Sequence, residues 1–503
     1  MPTREKSYAA LLAELREISL LSYTGQVLSW DEQTQLPRKA ADFRGDQLSL
    51  LARLAHERLT SDRLSDTLGA LESSGSLGAE DSDLAVNVRQ ARRSVNRAKK
   101  MPSDLVAELA RVGVVAQQAW VQARKASDFP SFAPVLEQMF GLKRQQAACL
   151  GPTAHPYDAL LDEYEPDETA LGVSAVFESL RAPLVDLVGR IAGSARKGRG
   201  ELVTGDYPRA AQEALAREAL VAIGFDFDRG RLDVSAHPFC THLGPSDTRI
   251  TTRYNERRFN DAFFGVMHEA GHGLYQQGLP TEHFGTPCGD HVSMGIHESQ
   301  SRLWENFVGR RRSFWIHFLP RLQAAFPGTR GVSVDDWYRA VNHVEPSLIR
   351  VEADETTYNL HVLLRFELEK ELLTGNLAVR DLPGAWNAKM KAYLGLTPPD
   401  DARGVLQDIH WAFGGVGYFP TYTLGNLYAA QFFEQAQADL GDLDAALARG
   451  EFAPLLGWLR DRIHSRGQRY TARALVERVT GRPLSAKPLL AHLERKASEV
   501  YGV

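Results

Sequence analysis

Cysteine is scarce in this sequence of 503 residues. Its three cysteines, Cys149, Cys240 and Cys288, are odd in number and lie far apart in the chain. They form neither the even set of a disulfide-stabilised secreted domain nor the Cys-x-x-Cys pair of a zinc knuckle. This cysteine content favours a protein of the reducing cytoplasm.

Long apolar runs and an excess of basic charge are also missing. No apolar stretch approaches the roughly 20 residues that a membrane-spanning helix needs, and charged residues between Arg4 and Glu17 interrupt any signal-peptide core. The net charge of −5 is small for this length and supplies no basic field. We therefore expect a soluble, cytoplasmic protein with no membrane and no nucleic-acid partner.

Helical periodicity dominates what is present. Apolar residues at positions 8, 11, 12, 15 and 18 have the i, i+3, i+4, i+7 spacing of an amphipathic helix. Similar patterns predict helices at about 38–72, 82–100, 103–126, 131–149, 169–195 and 207–223. The breaks between them are too short for flexible interdomain linkers. The sequence predicts an all-α fold and a single unit of residues 1–503.

One segment departs from the helical pattern. Between Leu232 and Tyr254, β-branched and polar residues alternate, with Thr248, Ile250 and Thr252 on one face. This period of two predicts strands of a small sheet. Such a sheet either supports the helix that follows it or binds a peptide backbone along its edge.

The sequence His268-Glu269-Ala270-Gly271-His272 carries the strongest chemical signal. Two histidines four residues apart share one helix face, about 5–6 Å apart at Cβ, which suits two ligands of one metal ion. Glu269, next to the first histidine, is placed to act as the general base that activates water. We predict that this helix begins near Asn260 or Asp261, as N-cap, and ends near Gly278.

A third ligand is expected because a catalytic zinc has three protein ligands and one open position. Glu298 lies on the next predicted helix, after a loop from Pro280 to Gly295. His297 competes for the same role, but adjacent helical residues point about 100° apart, so only one of the two can face the metal. We predict Glu298 as the ligand.

Arg350 is a candidate substrate-binding residue. Its guanidinium either pairs with the neighbouring acids Glu352 and Asp354 in a structural network or binds a carboxylate in bidentate fashion. In the second case the C-terminal carboxylate of a peptide would be the group that the site recognises.

A glycine-rich turn after His410 supplies candidate hydrogen-bond donors. Asp408 precedes the histidine, and the turn ends with Tyr418 and Tyr422. The tyrosines either pack in the core or donate hydrogen bonds to an oxyanion, and the histidine takes part only through these neighbours.

With these segments identified, the chain resembles the carboxypeptidase Taq family of thermostable metallocarboxypeptidases. The resemblance runs from about residue 30 to about residue 426. The matching segments are Trp30-Asp31 with Thr34 and Pro37, 237–239, 247–251, 268–272, 285–287, 297–300, 349–354 and 404–411. This ordered set is far more specific than the five-residue motif alone.

The resemblance implies a mostly helical, saddle-like body with a deep active-site cleft, similar to neurolysin, in which helices of about residues 1–150 form a lid-like subdomain. It implies one divalent metal per chain, zinc or in its place cobalt. It also implies a homodimer that releases C-terminal residues from peptides with broad specificity, though not at proline.

By the motif match, the metal ligands are His268, His272 and Glu298, and Glu269 is the base. Arg350 becomes the carboxylate clamp. The other residues that the resemblance places along the substrate site are His237, Arg249, His410, Tyr418 and Tyr422.

The chain departs from the expected pattern at Arg302, which stands where an aspartate is expected four residues after Glu298. A metal-ligating histidine needs a hydrogen-bond partner on its other ring nitrogen. We therefore predict Asp354 as the partner of His268.

Two further hypotheses remain beside the zinc carboxypeptidase. A zinc endo-oligopeptidase would use the same metal site without the carboxylate clamp. A non-catalytic helical scaffold would use the metal for structure, but structural zinc sites usually have four protein ligands, and the sequence offers three.

Overall fold

The structure, a computed structural model, describes residues 3–151 and 153–503. Before the sheet the described chain forms α1 (Arg4–Thr34), α2 (Ala41–Leu59), α3 (Asp62–Glu72), α4 (Asp83–Lys99), α5 (Ser103–Ala126), α6 (Phe129–Leu150), α7 (Pro156–Leu161), α8 (Ala170–Gly193) and α9 (Arg209–Ile223). The predicted helix over 38–72 divides at Thr60, because Ser61 caps a new helix.

After the sheet the chain forms a second, longer series of helices. They are α10 (Phe259–Gly278), α11 (Met294–Arg302), α12 (Arg312–Ala325), α13 (Val334–Val341), α14 (Glu355–Thr374), α15 (Leu382–Leu394), α16 (Pro420–Leu440), α17 (Leu443–Ala448), α18 (Ala453–Arg462), α19 (Ala472–Thr480) and α20 (Lys487–Tyr501). None of the described helices combines the length and the apolar character that crossing a bilayer requires. The predicted mostly helical fold is confirmed.

The first four helices have an apolar core of their own. Leu11 and Leu15 of α1 pack with leucines of α3 and with Val95 of α4. Trp120 of α5 and Phe140 of α6 belong instead to the large core of the rest of the molecule. The boundary in packing therefore falls between α4 and α5.

The sheet has three strands, β1 (Gly230–Val234), β2 (Cys240–His242) and β3 (Thr248–Thr252), within the described residues. The strand order is β1-β3-β2, with β3 parallel to β1 and antiparallel to β2. Ile250 of β3 is fully buried and lies against Gly273 of α10. The predicted sheet is confirmed: its central strand β3 supports the motif helix, and β1 and β2 form its edges.

The motif helix α10 begins slightly earlier than predicted. Arg258 is its N-cap residue and makes no side-chain capping hydrogen bond. Asn260 and Asp261 lie inside the first turn, so neither is the cap that the sequence suggested. Asp261 still favours the helix, because a negative charge in the first turn interacts well with the helix dipole.

Two glycines allow the site-bearing helices to approach closely. A Cβ atom on Gly271 of α10 would overlap the carbonyl oxygen of Gln300 in α11. A Cβ atom on Gly425 of α16 would lie 2.5 Å from the Cγ of Glu298. Close helix packing therefore explains why glycine is tolerated inside these helices despite its cost of about 1 kcal/mol.

Candidate active site

The Nε2 atoms of His268 and His272 face the same oxygen of Glu298. This Oε2 lies 3.6 Å from the Nε2 of His268 and 3.3 Å from that of His272. One ligand atom from each side chain lies within 4.8 Å of the other two. Two imidazole nitrogens and one carboxylate oxygen at this spacing fit a divalent metal with an open coordination position.

Glu305 is the hydrogen-bond partner of His268. The Nδ1 of His268 lies 3.0 Å from the Oε2 of Glu305. Arg302 donates to the same oxygen at 3.1 Å and to the Oε1 of Glu298 at 2.7 Å. A carboxylate acceptor at Nδ1 fixes the proton there and leaves Nε2 free to bind a metal.

The prediction of Asp354 as this partner is wrong. Its carboxylate accepts hydrogen bonds from the backbone N–H groups of Thr356 and Thr357 and caps α14. The sequence did contain a signal for the correct partner. Glu298, Arg302 and Glu305 are spaced i, i+4 and i+7, which places them on one helix face. The chain there passes from α11 into a π-helix, Leu303–Gly309, which carries the true partner.

The two carboxylates beside the histidines have opposite electrostatic surroundings. Burial alone would raise the pKa of Glu298, but Arg302 and His268 lower it below its ordinary value. Burial raises the pKa of Glu269, and the opposing effect of the histidines is smaller. These opposite pKa shifts suit a metal-binding carboxylate that stays ionised, Glu298, and a neighbouring carboxylate that exchanges protons, Glu269.

His297 lies beside the candidate metal ligands but is not part of the group whose atoms converge. Its Nδ1 is 2.5 Å from the Nδ1 of His272, and its Nε2 is 2.7 Å from the side-chain amide nitrogen of Gln276. Burial, and next the proximity of His272, lower the pKa of His297 well below its ordinary value. His297 is therefore a neutral neighbour of a candidate ligand, and Glu298, not His297, belongs to the candidate metal-binding group.

Arg350 is buried and its acidic partner comes from a distant segment. Its Nε and Nη2 donate to the Oδ1 of Asp408 at 3.1 and 2.8 Å, and its Nη1 donates to the hydroxyl of Tyr358 at 2.8 Å. Arg365 occupies the other oxygen of Asp408, with an Nε–Oδ2 distance of 2.7 Å. The neighbouring acids considered from the sequence are not the partners.

The side chains of His410, Tyr418 and Tyr422 lie together. The Nε2 of His410 is 3.2 Å from the hydroxyl of Tyr422, and the two tyrosine rings are 5.3 Å apart. Burial, and next the charge of Glu298, raise the pKa of Tyr418, while burial lowers that of His410 to about 4. Burial also raises the pKa of Tyr422, so both phenols are neutral donors close to the candidate ligand Glu298.

Arg249 lies against an N-terminal helix, and His237 lies at the surface of the molecule. The His237 side chain is exposed just before β2. Arg249 of β3 makes a bidentate ion pair with Asp247, with distances of 2.8 and 2.9 Å, and lies 4.3 Å from the ring of Trp30 in α1. These contacts differ from those of Arg350, which lies among the tyrosines.

Glu369 of α14 holds the glycine-rich turn and has no signal in the sequence. Its carboxylate accepts hydrogen bonds from the Nε1 of Trp411 at 2.8 Å, the backbone N–H of Gly417 at 3.2 Å and the hydroxyl of Tyr157 at 2.6 Å. Burial raises its pKa to about 7. One buried acid therefore fixes the position of the turn that leads to Tyr418.

Comparison with known proteins agrees with this geometry. The family model for carboxypeptidase Taq (M32) metallopeptidases matches residues 10–497. The chain is 48% identical over 509 residues to thermostable carboxypeptidase 1 of Thermus thermophilus, covering 99% of this chain and 100% of that protein. It is 39% identical to carboxypeptidase 1 of Bacillus subtilis, covering 99% of each.

A solved structure extends the likeness to the fold. The M32 carboxypeptidase from Deinococcus radiodurans R1 superposes with a TM-score of 0.96 at 42% sequence identity, covering 99% of this chain and all of the other. Family, relatives and fold agree over the full length, and the chain is a metallocarboxypeptidase that belongs to the carboxypeptidase Taq (M32) family.

Proposed function

We propose that this metallocarboxypeptidase binds one zinc ion through His268, His272 and Glu298 and uses Glu269 as its general base. The support is the convergence of two Nε2 atoms and one carboxylate oxygen within 4.8 Å. Borderline-soft zinc suits this nitrogen and oxygen donor set, and cobalt is the expected substitute. The bound ion would polarise the scissile carbonyl and lower the pKa of water.

The side chains of the protein would carry the proton transfers. Glu269 accepts a proton from the attacking water and gives it to the amine nitrogen that leaves. Its raised pKa favours this exchange, because a base works best when its pKa lies near the working pH. Tyr418 and Tyr422, as neutral phenols, are the proposed donors to the developing oxyanion.

The substrate is proposed to be a peptide with a free C-terminus, bound by Arg350. Arg350 and Arg365 share the single carboxylate of Asp408, so the buried group has an excess positive charge. His410 would help orient the substrate end beside them, and His237 and Arg249 would contact residues farther from the cleaved bond. Cleavage is expected to be broad and to fail at proline.

The single experiment that tests this function pairs a free-acid peptide with its C-terminally amidated form. Mass spectrometry should show stepwise loss of C-terminal residues from the acid, stopped by a chelator and abolished by Glu269→Gln at unchanged zinc content. Internal cleavage of the amidated peptide would favour the endo-oligopeptidase instead. Near wild-type cleavage by the zinc-loaded Gln variant would refute the role of Glu269.

We also propose that the protein is a homodimer of single catalytic units in the cytoplasm. The separate core of α1–α4 supports a lid-like layer, narrower than the 1–150 range expected from the sequence, on a single catalytic unit. The resemblance supports a homodimer, which light scattering would test. Free thiols at all three cysteines are compatible with the cytoplasm, and fractionation of cells would test that location.

A further inference from the structure

His297 and Gln276 form a hydrogen-bonded chain that leads away from the ligand His272. The Nδ1 atoms of the two histidines are 2.5 Å apart, and their ring centroids are 4.6 Å apart. The other nitrogen of His297 is 2.7 Å from the amide nitrogen of Gln276, one helical turn beyond His272 on α10. Neither His297 nor Gln276 has a role in the proposed metal site.

The surroundings of His297 leave Gln276 as the polar group that its Nε2 meets. The rings of Tyr275 and His291 each lie 5.2 Å from the imidazole. Gln276 itself is buried, with 9% of its surface exposed. A buried imidazole nitrogen that lost this partner would be left without a hydrogen bond, at a cost of about 1–3 kcal/mol.

Only one order of protons along this chain is compatible with metal binding. His272 can bind a metal through Nε2 when its own proton is on Nδ1. That proton must then be donated to His297 Nδ1, so His297 carries its proton on Nε2. The Gln276 amide, whose nitrogen faces His297 in the structure, must then turn by about 180° to present its oxygen, because its N–H₂ group would clash with that proton.

The opposite order of protons prevents His272 from binding a metal through Nε2. If the Gln276 amide donates an N–H to His297, the proton of His297 moves to Nδ1 and is donated to His272. His272 then carries its proton on Nε2, the nitrogen that faces Glu298 at 3.3 Å. The orientation of one amide thus decides whether the second histidine is ready to bind.

We propose that His297 and Gln276 are positioning residues that select the metal-binding tautomer of His272. The inference rests on the proposed ligand set. It differs from the arrangement at His268, where the carboxylate of Glu305 can only accept a hydrogen bond. The tautomer of His272 depends on two neutral side chains, His297 and Gln276, each of which can present either a donor or an acceptor.

Zinc affinity measured by competition with a chromogenic chelator tests this role without reference to activity. His297→Phe keeps a planar ring but removes the acceptor, and affinity should fall about 10–100-fold. His297→Asn places an amide oxygen near the position of Nδ1, and it should recover most of that loss. Wild-type affinity in the Phe variant, or equal losses in both variants, would overturn the proposal.

A second pair of variants tests the other end of the chain, including the case in which His297→Phe fails to fold. Gln276→Glu can only accept, so zinc affinity should equal or exceed that of the wild type. Gln276→Met should weaken it about tenfold or more. Equal affinities for the two variants would contradict the tautomer argument.

Two controls separate this inference from the ligand assignment. His291→Asn changes the ring on the other side of His297 and should leave zinc affinity unchanged. His272→Phe should abolish tight binding, and retained binding there would refute the proposed ligands themselves. Loss in His272→Phe with wild-type affinity in both His297→Phe and Gln276→Met would refute this inference alone.

Discussion

At the scale of the residue, the guanidinium of Arg350 is held in place by hydrogen bonds and still has N–H donors free for a substrate. A guanidinium has five N–H donors, and the contacts with Asp408 and Tyr358 use three of them. Two buried arginines on one carboxylate leave an uncompensated positive charge, which is costly in a protein interior. A peptide carboxylate would compensate it, so the charge favours substrate with a free C-terminus.

Replacement of Arg350 tests this argument. Arg350→Met should lower kcat/KM for free-acid peptides about 30-fold or more, because one member of a buried charge pair is lost. Arg350→Lys should recover only part, since lysine keeps the charge but not the bidentate geometry. The measurement is steady-state kinetics on one series of free-acid peptides at saturating zinc.

The fold should survive these changes, because Arg365 still holds Asp408. A melting temperature close to that of the wild type is the control. Unchanged kcat/KM in a folded, zinc-loaded Arg350→Met variant would show that another group binds the carboxylate.

At the scale of the element, local signals were predictable and contacts between distant elements were not. The motif helix α10 and the sheet were predicted because periodicity and turn residues are properties of neighbouring residues. The pairing of Arg350 with Asp408 joins segments 58 residues apart, and no local pattern carries it. The approach of α16 to Glu298, which depends on Gly425, was equally hidden.

Gly425→Ala tests whether α16 positions Glu298, the proposed third ligand. Alanine in a helix is usually more stable than glycine by about 1 kcal/mol, but here its Cβ would lie 2.5 Å from the Cγ of Glu298. We expect a loss of about 1–3 kcal/mol in the free energy of unfolding from overpacking. Zinc affinity should fall as well, because Glu298 must move.

A matched control is available in α18. A Cβ atom on Gly457 would meet nothing within 4 Å, so Gly457→Ala should stabilise the protein slightly and leave zinc affinity alone. Thermal unfolding and chelator competition on both variants make the comparison. If the two substitutions behave alike, the close approach of α16 has no role in the site.

At the scale of the whole molecule, the layer α1–α4 meets the catalytic body, which runs from α5 onward, through aromatic side chains of α1 and charged side chains of α4. Arg93 of α4, for example, donates a hydrogen bond to Asp167 at 2.7 Å. Trp30 of α1 lies over Arg249, and Tyr23 packs 5.5 Å from both His242 and Phe284. The apolar core of the layer could be inferred from helical periodicity. Its contacts with the sheet could not, because an aromatic residue on a helix has no sequence signal for its partner.

The catalytic body is joined internally by a buried acid at Glu165, which follows α7. Its carboxylate accepts hydrogen bonds from the hydroxyls of Ser293 and Tyr428, each at 2.9 Å, and from the backbone N–H of Gly295 at 3.0 Å. It therefore ties the start of α11, which carries Glu298, to α16. Burial raises its pKa to about 7, above the ordinary value of 4.5.

A raised pKa of an acid makes the folded state bind a proton that the unfolded state has released. Between pH 4.5 and about 7, Glu165 is protonated when folded and ionised when unfolded, so its contribution to stability falls as pH rises through this range. Above pH 7 both states are ionised and the penalty is constant. The full penalty in the free energy of unfolding is about 3 kcal/mol, because each unit of pKa shift corresponds to about 1.36 kcal/mol.

Glu165→Gln should remove this pH dependence while retaining the contacts, because an amide nitrogen can donate to the two hydroxyls and its oxygen can accept from Gly295. Relative to the wild type, the metal-free variant should therefore gain stability between pH 5 and pH 8, by up to about 3 kcal/mol. The comparison cancels the opposing contributions of buried histidines, which both proteins share. A difference in melting temperature that stays constant from pH 5 to pH 8 would mean that Glu165 is ionised in the folded protein throughout.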